Sequence, residues 1–349
     1  MLLFLVLTAW LMASGPVAYG ASKKPQEDPN ALLAKASPFY DFSSPELKPW
    51  HLKISYELYD EEGKPSEQGT FEYWWASPKV YRSTWTRPGA TLSRWHTANG
   101  MHATKSSGER LSFFEKNLAS DLISPLPQTI TPDSIKMALT FKTINVGKFV
   151  LPCIAQGPDN AGRMIAPDVQ AIFATTYCFD ERSNALLVKY SYGVITTEFS
   201  EIKKVQGRYL PFMITIFGGE QKRFSATVKE VEGISPTDPN LEPPKDSLVA
   251  DVPRVALSEA VTRGAIVQKT KPEYPLPAKM ENLQGAVLLS VLIGTDGKVR
   301  DIEVISSPSP LLTDSAVKAV SHWEYKPYLL GGKPVETFTT IEIFFSLRR

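Results

Sequence analysis

The sequence predicts an α+β protein of two domains: an N-terminal antiparallel β-rich domain with one or two helices, then a small C-terminal domain of order strand, strand, helix, strand. Three observations predict it. Polar and apolar residues alternate with a period of two along much of Trp50 to Val231. Ser235 to Pro253 then gathers Pro236, Pro239, Pro243, Pro244 and Pro253 among polar residues. After that come an apolar strand, an Asp-Gly turn, a return strand, a helix-periodic run and a last apolar strand.

The length agrees. At roughly 150 residues per domain, 349 residues make about two. Hydrophobic residues at 43% and charged residues at 21% are ordinary for a globular chain. A formal charge of +1 leaves no basic excess for nucleic acid.

Leu2 to Met12 is apolar, and Ala18-Tyr19-Gly20 places small residues before a cut ahead of Ala21. This is a signal-peptide pattern over residues 1–20, although no Lys or Arg precedes the apolar run. The alternative is an uncleaved anchor over Leu2–Ala21, a span of about 20 residues interrupted by Ser14, Gly15 and Pro16. The two readings make the chain an exported protein freed by cleavage, or one held at a membrane by its N-terminal segment. In an exported chain Cys153 and Cys178 read as one disulfide, worth about 3 kcal/mol in chain entropy.

Residues 21–45 read as a polar leader, and 46–234 as the β-rich domain. His51 to Leu58 alternates, Asp60-Glu61-Glu62-Gly63 supplies a turn, and Phe71, Tyr73 and Trp75 share one strand face. Adjacent Trp74 and Trp75 must point to opposite faces. Ser106-Ser107-Gly108-Glu109 has capping-box spacing ahead of Leu111, Phe114, Leu118 and Leu122. Thr131-Pro132 can open a second helix. Strands are expected at Ile144–Ile154, Ala171–Phe179, Leu186–Tyr192, Ile195–Ile202, Arg208–Phe217 and Arg223–Val231. Residues 235–263 read as a Pro-rich linker and 264–349 as the second domain. There, Ala286–Ile293 is a strand, Asp296-Gly297 suits a type I′ turn, and Val299–Ser306 returns with Ile302 and Val304 inward. Ser309-Pro310 starts a helix that buries Leu312, Ala316 and Val320, and Glu336 to Leu347 is the final strand.

Within this domain Pro272-Glu273-Tyr274-Pro275, Ala278, Gly285-Ala286-Val287, Gly297-Lys298-Val299, Asp314, Ala316-Val317, Val320, Trp323-Glu324-Tyr325-Lys326-Pro327 and Gly332-Lys333-Pro334-Val335 follow in order. This ordered set, over about Lys271 to Leu347, resembles the C-terminal domain of the TonB family. The glycines, Trp323 and Tyr325 are fold determinants. The resemblance implies envelope transport: such a domain binds a short extended segment of an outer-membrane receptor or other envelope protein by strand addition. The implied partner-binding residues are Thr337, Thr339, Ile341 and Ile343 of the last strand, and Pro272, Tyr274 and Pro275 before the first. An anchored chain would be an energy transducer for outer-membrane uptake. A cleaved one would be a binding protein.

The close of the first domain, with Phe199, Ile202, Gly207-Arg208-Tyr209-Leu210-Pro211, Ile214, Gly218-Gly219, Ala226, Val228 and Val231, resembles LolA/LolB-type lipoprotein carriers. That likeness implies a half-barrel sheet binding lipid on its concave face. His51, His96, His102 and His322 lack paired metal spacing. No nucleophile elbow or phosphate loop occurs. The sequence is read as a non-enzyme without cofactor or metal.

Overall fold

A computed structural model describes residues 28–104, 111–127, 137–147, 149–158, 175–249, 255–257 and 262–347. The proposed signal segment, the Ser106–Glu109 capping box and the Thr131-Pro132 helix start lie outside them.

Helix α1 (Pro29–Ala36) is capped by Asp28, whose carboxylate accepts the Asn30 N–H at 2.9 Å. It does not belong to a loose leader. Leu32, Leu33, Ala36, Tyr40, Phe42 and Leu47 all enter the main core, because this stretch is polar on average but places its few apolar residues on one side.

Strands β1 (Trp50–Tyr59), β2 (Pro65–Ser77), β3 (Val80–Arg87), β4 (Ala90–Thr97) and β5 (Gly100–Ala103) form a meander. Helix α2 (Phe113–Ile123) follows. A second meander runs through β6 (Met137–Val146), β7 (Phe149–Pro158), β8 (Thr175–Phe179), β9 (Leu186–Ser191), β10 (Ile195–Val205), β11 (Arg208–Gly218) and β12 (Gln221–Gly233). Pairing of β1 with β12 joins the two. With β13 (Leu248–Val249) on β5, the described residues give one antiparallel sheet of thirteen strands in the order β13-β5-β4-β3-β2-β1-β12-β11-β10-β9-β8-β7-β6.

Two expectations change here. The single strand at Ile144–Ile154 is a hairpin, since Gly147 takes φ +58 and pairs Val146 with Phe149. An apolar run on both sides of one glycine hid the turn. The capping box is that of Ser112 and Glu115: Ser112 Oγ accepts the Glu115 N–H at 3.2 Å, and Glu115 Oε2 accepts the Ser112 N–H at 2.7 Å. Ser112 stands six residues after the upstream match at Ser106, which lies outside the described residues. Phe114, Leu118 and Leu122 are its buried stripe, as their spacing predicts.

Cys153 and Cys178 face each other across β7 and β8 and are disulfide-bonded. Trp75 joins the main core, whereas Trp74 is buried on the opposite face, stacked on His51. Both faces are covered there. The cover on the outer face is the proline-rich segment. Asn240 O accepts the Trp95 indole N–H at 3.0 Å, Asn240 also takes Arg82, and Leu241 is buried. The segment is a strap lying along the sheet.

The second domain comprises β14 (Val255–Ala256), β15 (Ile266–Gln268), α3 (Leu276–Met280), β16 (Gly285–Ile293), β17 (Val299–Ser306), α4 (Pro310–Val320), β18 (Glu324–Tyr325), β19 (Leu329–Leu330), β20 (Lys333–Pro334) and β21 (Thr337–Phe345). Its main sheet has the order β14-β21-β16-β17. Val287, Leu289, Val291 and Ile293 pack against Leu312, Ala316 and Val320 of α4, with Trp323 and Tyr325 closing the gap. The turn between β16 and β17 is not type I′. Only Gly297 has positive φ, at +81, and its N–H returns to Gly294 O at 2.9 Å, which makes a type I turn followed by a left-handed glycine. A Cβ on Gly297 would lie 1.9 Å from Tyr325 O, so the turn requires glycine by space as well as by φ.

Strand β16 is buried on both faces, which explains its unbroken apolar text. Leu288 of β16 and Ile305 of β17 belong to the core of the first domain, at 1% and 0% exposure. Burying two such side chains contributes about 2 kcal/mol each. The domains therefore share a core rather than only a tether.

Candidate functional site

A sheet of a few strands has two edges, and each carries unpaired main-chain groups unless something covers it. In the second domain the sheet ends in β17 on one side and, beyond the two-residue β14, in β21 on the other.

The β17 edge is closed by the first domain. Arg223 of β12 donates through Nη1 to Ile305 O at 2.7 Å and through Nη2 to Val304 O at 3.2 Å. Both carboxylate oxygens of Glu303 accept the Phe113 N–H at 2.7 Å, satisfying one of the free donors at the start of α2. Burial pushes the Glu303 carboxyl up, against the lowering effect of that N–H and of Lys116. The backbones approach so closely that a Cβ on Gly218 would sit 2.9 Å from Ile305 O.

The β21 edge is closed over a short stretch by the chain itself. Val255 N–H donates to Glu336 O at 3.1 Å and Leu257 N–H to Phe338 O at 2.8 Å. The pairing is parallel, Val255 with Thr337 and Ala256 with Phe338. Among the described residues no strand pairs with 339–345 on that side. Alternate residues of a strand direct their main-chain groups to opposite edges. Since Glu336 and Phe338 serve β14, Thr340, Glu342 and Phe344 face the same edge. Thr337, Thr339, Ile341 and Ile343 face β16.

A groove of about 940 Å³ runs beside this edge, lined by Glu342 to Leu347 and by Lys269, Lys271, Pro272, Tyr274 and Lys279. It brings together parts of both segments singled out from the sequence, for Pro272, Tyr274 and Ile343 share it. The wall is fixed locally. Tyr274 stacks edge-on against Phe345 at 5.4 Å and its hydroxyl donates to Leu283 O. Ser315 Oγ holds Glu273 O. Pro275 is the N-cap of α3 and is not among the lining residues. Thr337, Thr339 and Ile341 are buried, with the Thr339 hydroxyl 3.0 Å from that of Thr262.

The sequence reading named Thr337, Thr339, Ile341 and Ile343, whose main chains face β16. Thr340, Glu342 and Phe344, whose main chains face the other edge, were not named, nor were the lysines; of these three strand residues, Thr340 is buried and Phe344 is exposed. Phe344 is 64% exposed although it follows a buried Ile343. Its apolar character gives no sign of that exposure, and only Glu342 two residues earlier marks an outer face.

In the first domain the apolar sheet face is filled by α1, by α2 through Phe114, Leu118 and Leu122, and by Leu288 and Ile305 of the second domain. The indole N–H groups of Trp50, Trp75 and Trp85 are buried on it without a hydrogen-bond partner among the described residues.

Comparison with known proteins agrees with the motif reading of the second domain. Residues 270–347 match the family model described as Gram-negative bacterial TonB protein C-terminal. Protein TonB of Pseudomonas aeruginosa is 32% identical over 79 residues, 22% of this chain and 23% of that one. Protein TonB of Vibrio cholerae is 29% identical over 89 residues, 25% of this chain and 36% of that one. The chain thus spans between a quarter and about a third of these relatives. The solution structure of the Pseudomonas aeruginosa TonB CTD superposes with a TM-score of 0.22 and 29% identity, over 24% of this chain and 86% of that one. A LolA superfamily protein from Nitrosomonas europaea superposes with a TM-score of 0.39 and 8% identity, over 59% of this chain and 93% of that one.

Proposed function

We propose that this chain works in envelope transport as a TonB-type binding protein of the periplasm, and that it takes an extended segment of an outer-membrane receptor as an added strand on β21. The match over residues 270–347 supports the family reading. The observation that carries the site is the parallel pairing of residues 255–257 on the β21 edge, beside a groove and a stretch with no strand partner among the described residues. Strand addition draws affinity from main-chain bonds and selectivity from alternate side chains. Among the described residues no helix is long and apolar enough to cross a membrane.

The experiment uses peptides that cover short extended segments of Gram-negative outer-membrane receptors. At least one is expected to bind the full-length protein. Phe344→Pro removes an N–H that faces the open edge, where proline is tolerated in a sheet. It is expected to weaken that binding at least tenfold, about 1.4 kcal/mol, with circular dichroism and melting unchanged. A folded Phe344→Pro protein that binds like wild type sinks the reading. Intact mass after cell fractionation assigns the form of the chain. A soluble species starting at Ala21 is the binding protein, and a full-length inner-membrane species is a force-transmitting transducer.

A second reading, an acyl-lipid carrier on a curved N-terminal sheet, has the three unpaired indole donors in its favour, since lipid ester carbonyls would accept them. It requires α2, Leu288 or Ile305 to move aside. Lipid mass spectrometry after native extraction tests it, and a lipid-free chain removes it.

A further inference from the structure

The β6–β7 hairpin of the first domain ends in a finger that reaches past its neighbour. β7 pairs with β6 from Phe149 onward, but with β8 only over Cys153–Gln156. Phe149–Pro152 therefore overhang β8, by about 14 Å at roughly 3.4 Å per residue. The bonded pair Cys153 and Cys178 is the last rung shared with β8. Together with Leu151, buried beside it, this rung fixes the root of the finger.

The tip is apolar where a solvated hairpin end is ordinarily polar. Val146, Phe149 and Val150 are 36%, 58% and 58% exposed. Val146 pairs with Phe149, whereas Val150 pairs with Asn145 and, as the next residue of the strand, points to the other face. The tip thus shows apolar side chains on both faces. A protein surface covers one face of a hairpin, whereas a bilayer surrounds an inserted tip on every side. The charge agrees with a bilayer. Met137–Pro158 contains Lys142 and Lys148 and no Asp or Glu, and anionic headgroups attract such a segment. We infer that the β6–β7 finger docks the first domain on an anionic lipid surface, with Val146, Phe149 and Val150 entering among the headgroups.

The strand pairing sets the depth. β6 is the end strand of its sheet, and among the described residues it pairs only with β7. Its outer main-chain groups need water or headgroups as partners. The finger therefore stops at the boundary of headgroups and acyl chains, about 5–10 Å deep, a depth that the overhang spans. This docking is independent of strand addition at β21.

The test places p-benzoylphenylalanine at position 149 of the full-length protein and, in a second preparation, at the exposed position 344 of β21. Each is irradiated with vesicles of phosphatidylethanolamine and phosphatidylglycerol in equal parts, or of phosphatidylcholine alone. Mass spectrometry identifies the adducts. Position 149 is expected to give about tenfold more lipid adduct than position 344, the scale of burying about one apolar side chain. Its yield at low salt should be several-fold higher on the anionic vesicles. At about 1 M salt, where screening acts within about 3 Å, the two kinds of vesicle should converge. Val146→Ser with Val150→Ser, both at exposed positions, should lower the yield at 149 several-fold with circular dichroism unchanged. Equal lipid adducts at 149 and 344, equal yields on both kinds of vesicle at low salt, or an adduct at 149 to a second copy of the chain in place of lipid each overturn the inference.

Discussion

The two edges of the second domain's sheet are chemically alike and structurally opposite. At β17 the covering groups come from far away in the chain, Arg223 and the start of α2, and they arrive with a shared core behind them. At β21 the cover is a three-residue stretch of the neighbouring segment, held by two main-chain bonds. A partner strand can compete with the second kind of cover and not with the first. The difference teaches that one domain's packing selects which edge of another is offered.

The comparison breaks most visibly at Arg223. Arg223→Ala removes the donors of Val304 O and Ile305 O at a site only 8% exposed. Leaving buried carbonyls unpaired is expected to cost about 3 kcal/mol in chemical denaturation, and the β17 edge should then self-associate in light scattering. A variant as stable and as monodisperse as wild type would show that the two edges do not differ in the way described.

The double variant Val255→Pro with Leu257→Pro sharpens the comparison from the other side. It removes both donors to the β21 edge. Stability is expected to fall by about 1 to 2 kcal/mol, while a receptor-segment peptide that binds the wild-type protein should bind several-fold tighter because its competitor has left. Unchanged peptide affinity would mean that residues 255–257 do not compete.

The smallest effect concerns pH. The Glu303 carboxyl is raised by burial at the β17 edge, so the folded state takes up the proton more readily than the unfolded chain. Its contribution favours folding below the ordinary glutamate value of 4.5 and is lost as pH rises through the raised folded value. Glu303→Gln keeps an acceptor for Phe113 N–H and should flatten the stability profile between 4.5 and the raised folded value. A profile of unchanged slope there would assign the pH dependence to other groups.

Much of the second domain could be read from residue order. The apolar run at Ala286–Ile293, the Asp296-Gly297 turn, the Ser309-Pro310 cap and the Trp323/Tyr325 pair each leave a local mark, because each satisfies a local rule of pleat, turn or helix end. The first domain was legible as strands and less so as boundaries. Gly147 concealed a hairpin inside one apolar run, and Ser112 stood six residues behind another match to the same capping pattern. The site was half legible. Pro272, Tyr274 and Ile343 do line the groove, but the remaining members of the last strand were chosen from the inward set. Periodicity tells which residues alternate, and it does not tell which set faces the core.

The sequence by itself determined the mostly antiparallel sheet with few helices, the second domain's likeness to the TonB C-terminal domain, and a cysteine pair that the fold brings into register. Tertiary structure alone decided that residues 339–345 have no strand partner on their outer side among the described residues, that Trp74 and Trp75 are covered on both faces, and that residues 240 and 241 of the proline-rich segment lie on the sheet. The physical reason is range. Turns, caps and alternation are set within a few residues, whereas the bond that closes the β17 edge joins residues 81 apart and exists only when two cores have merged.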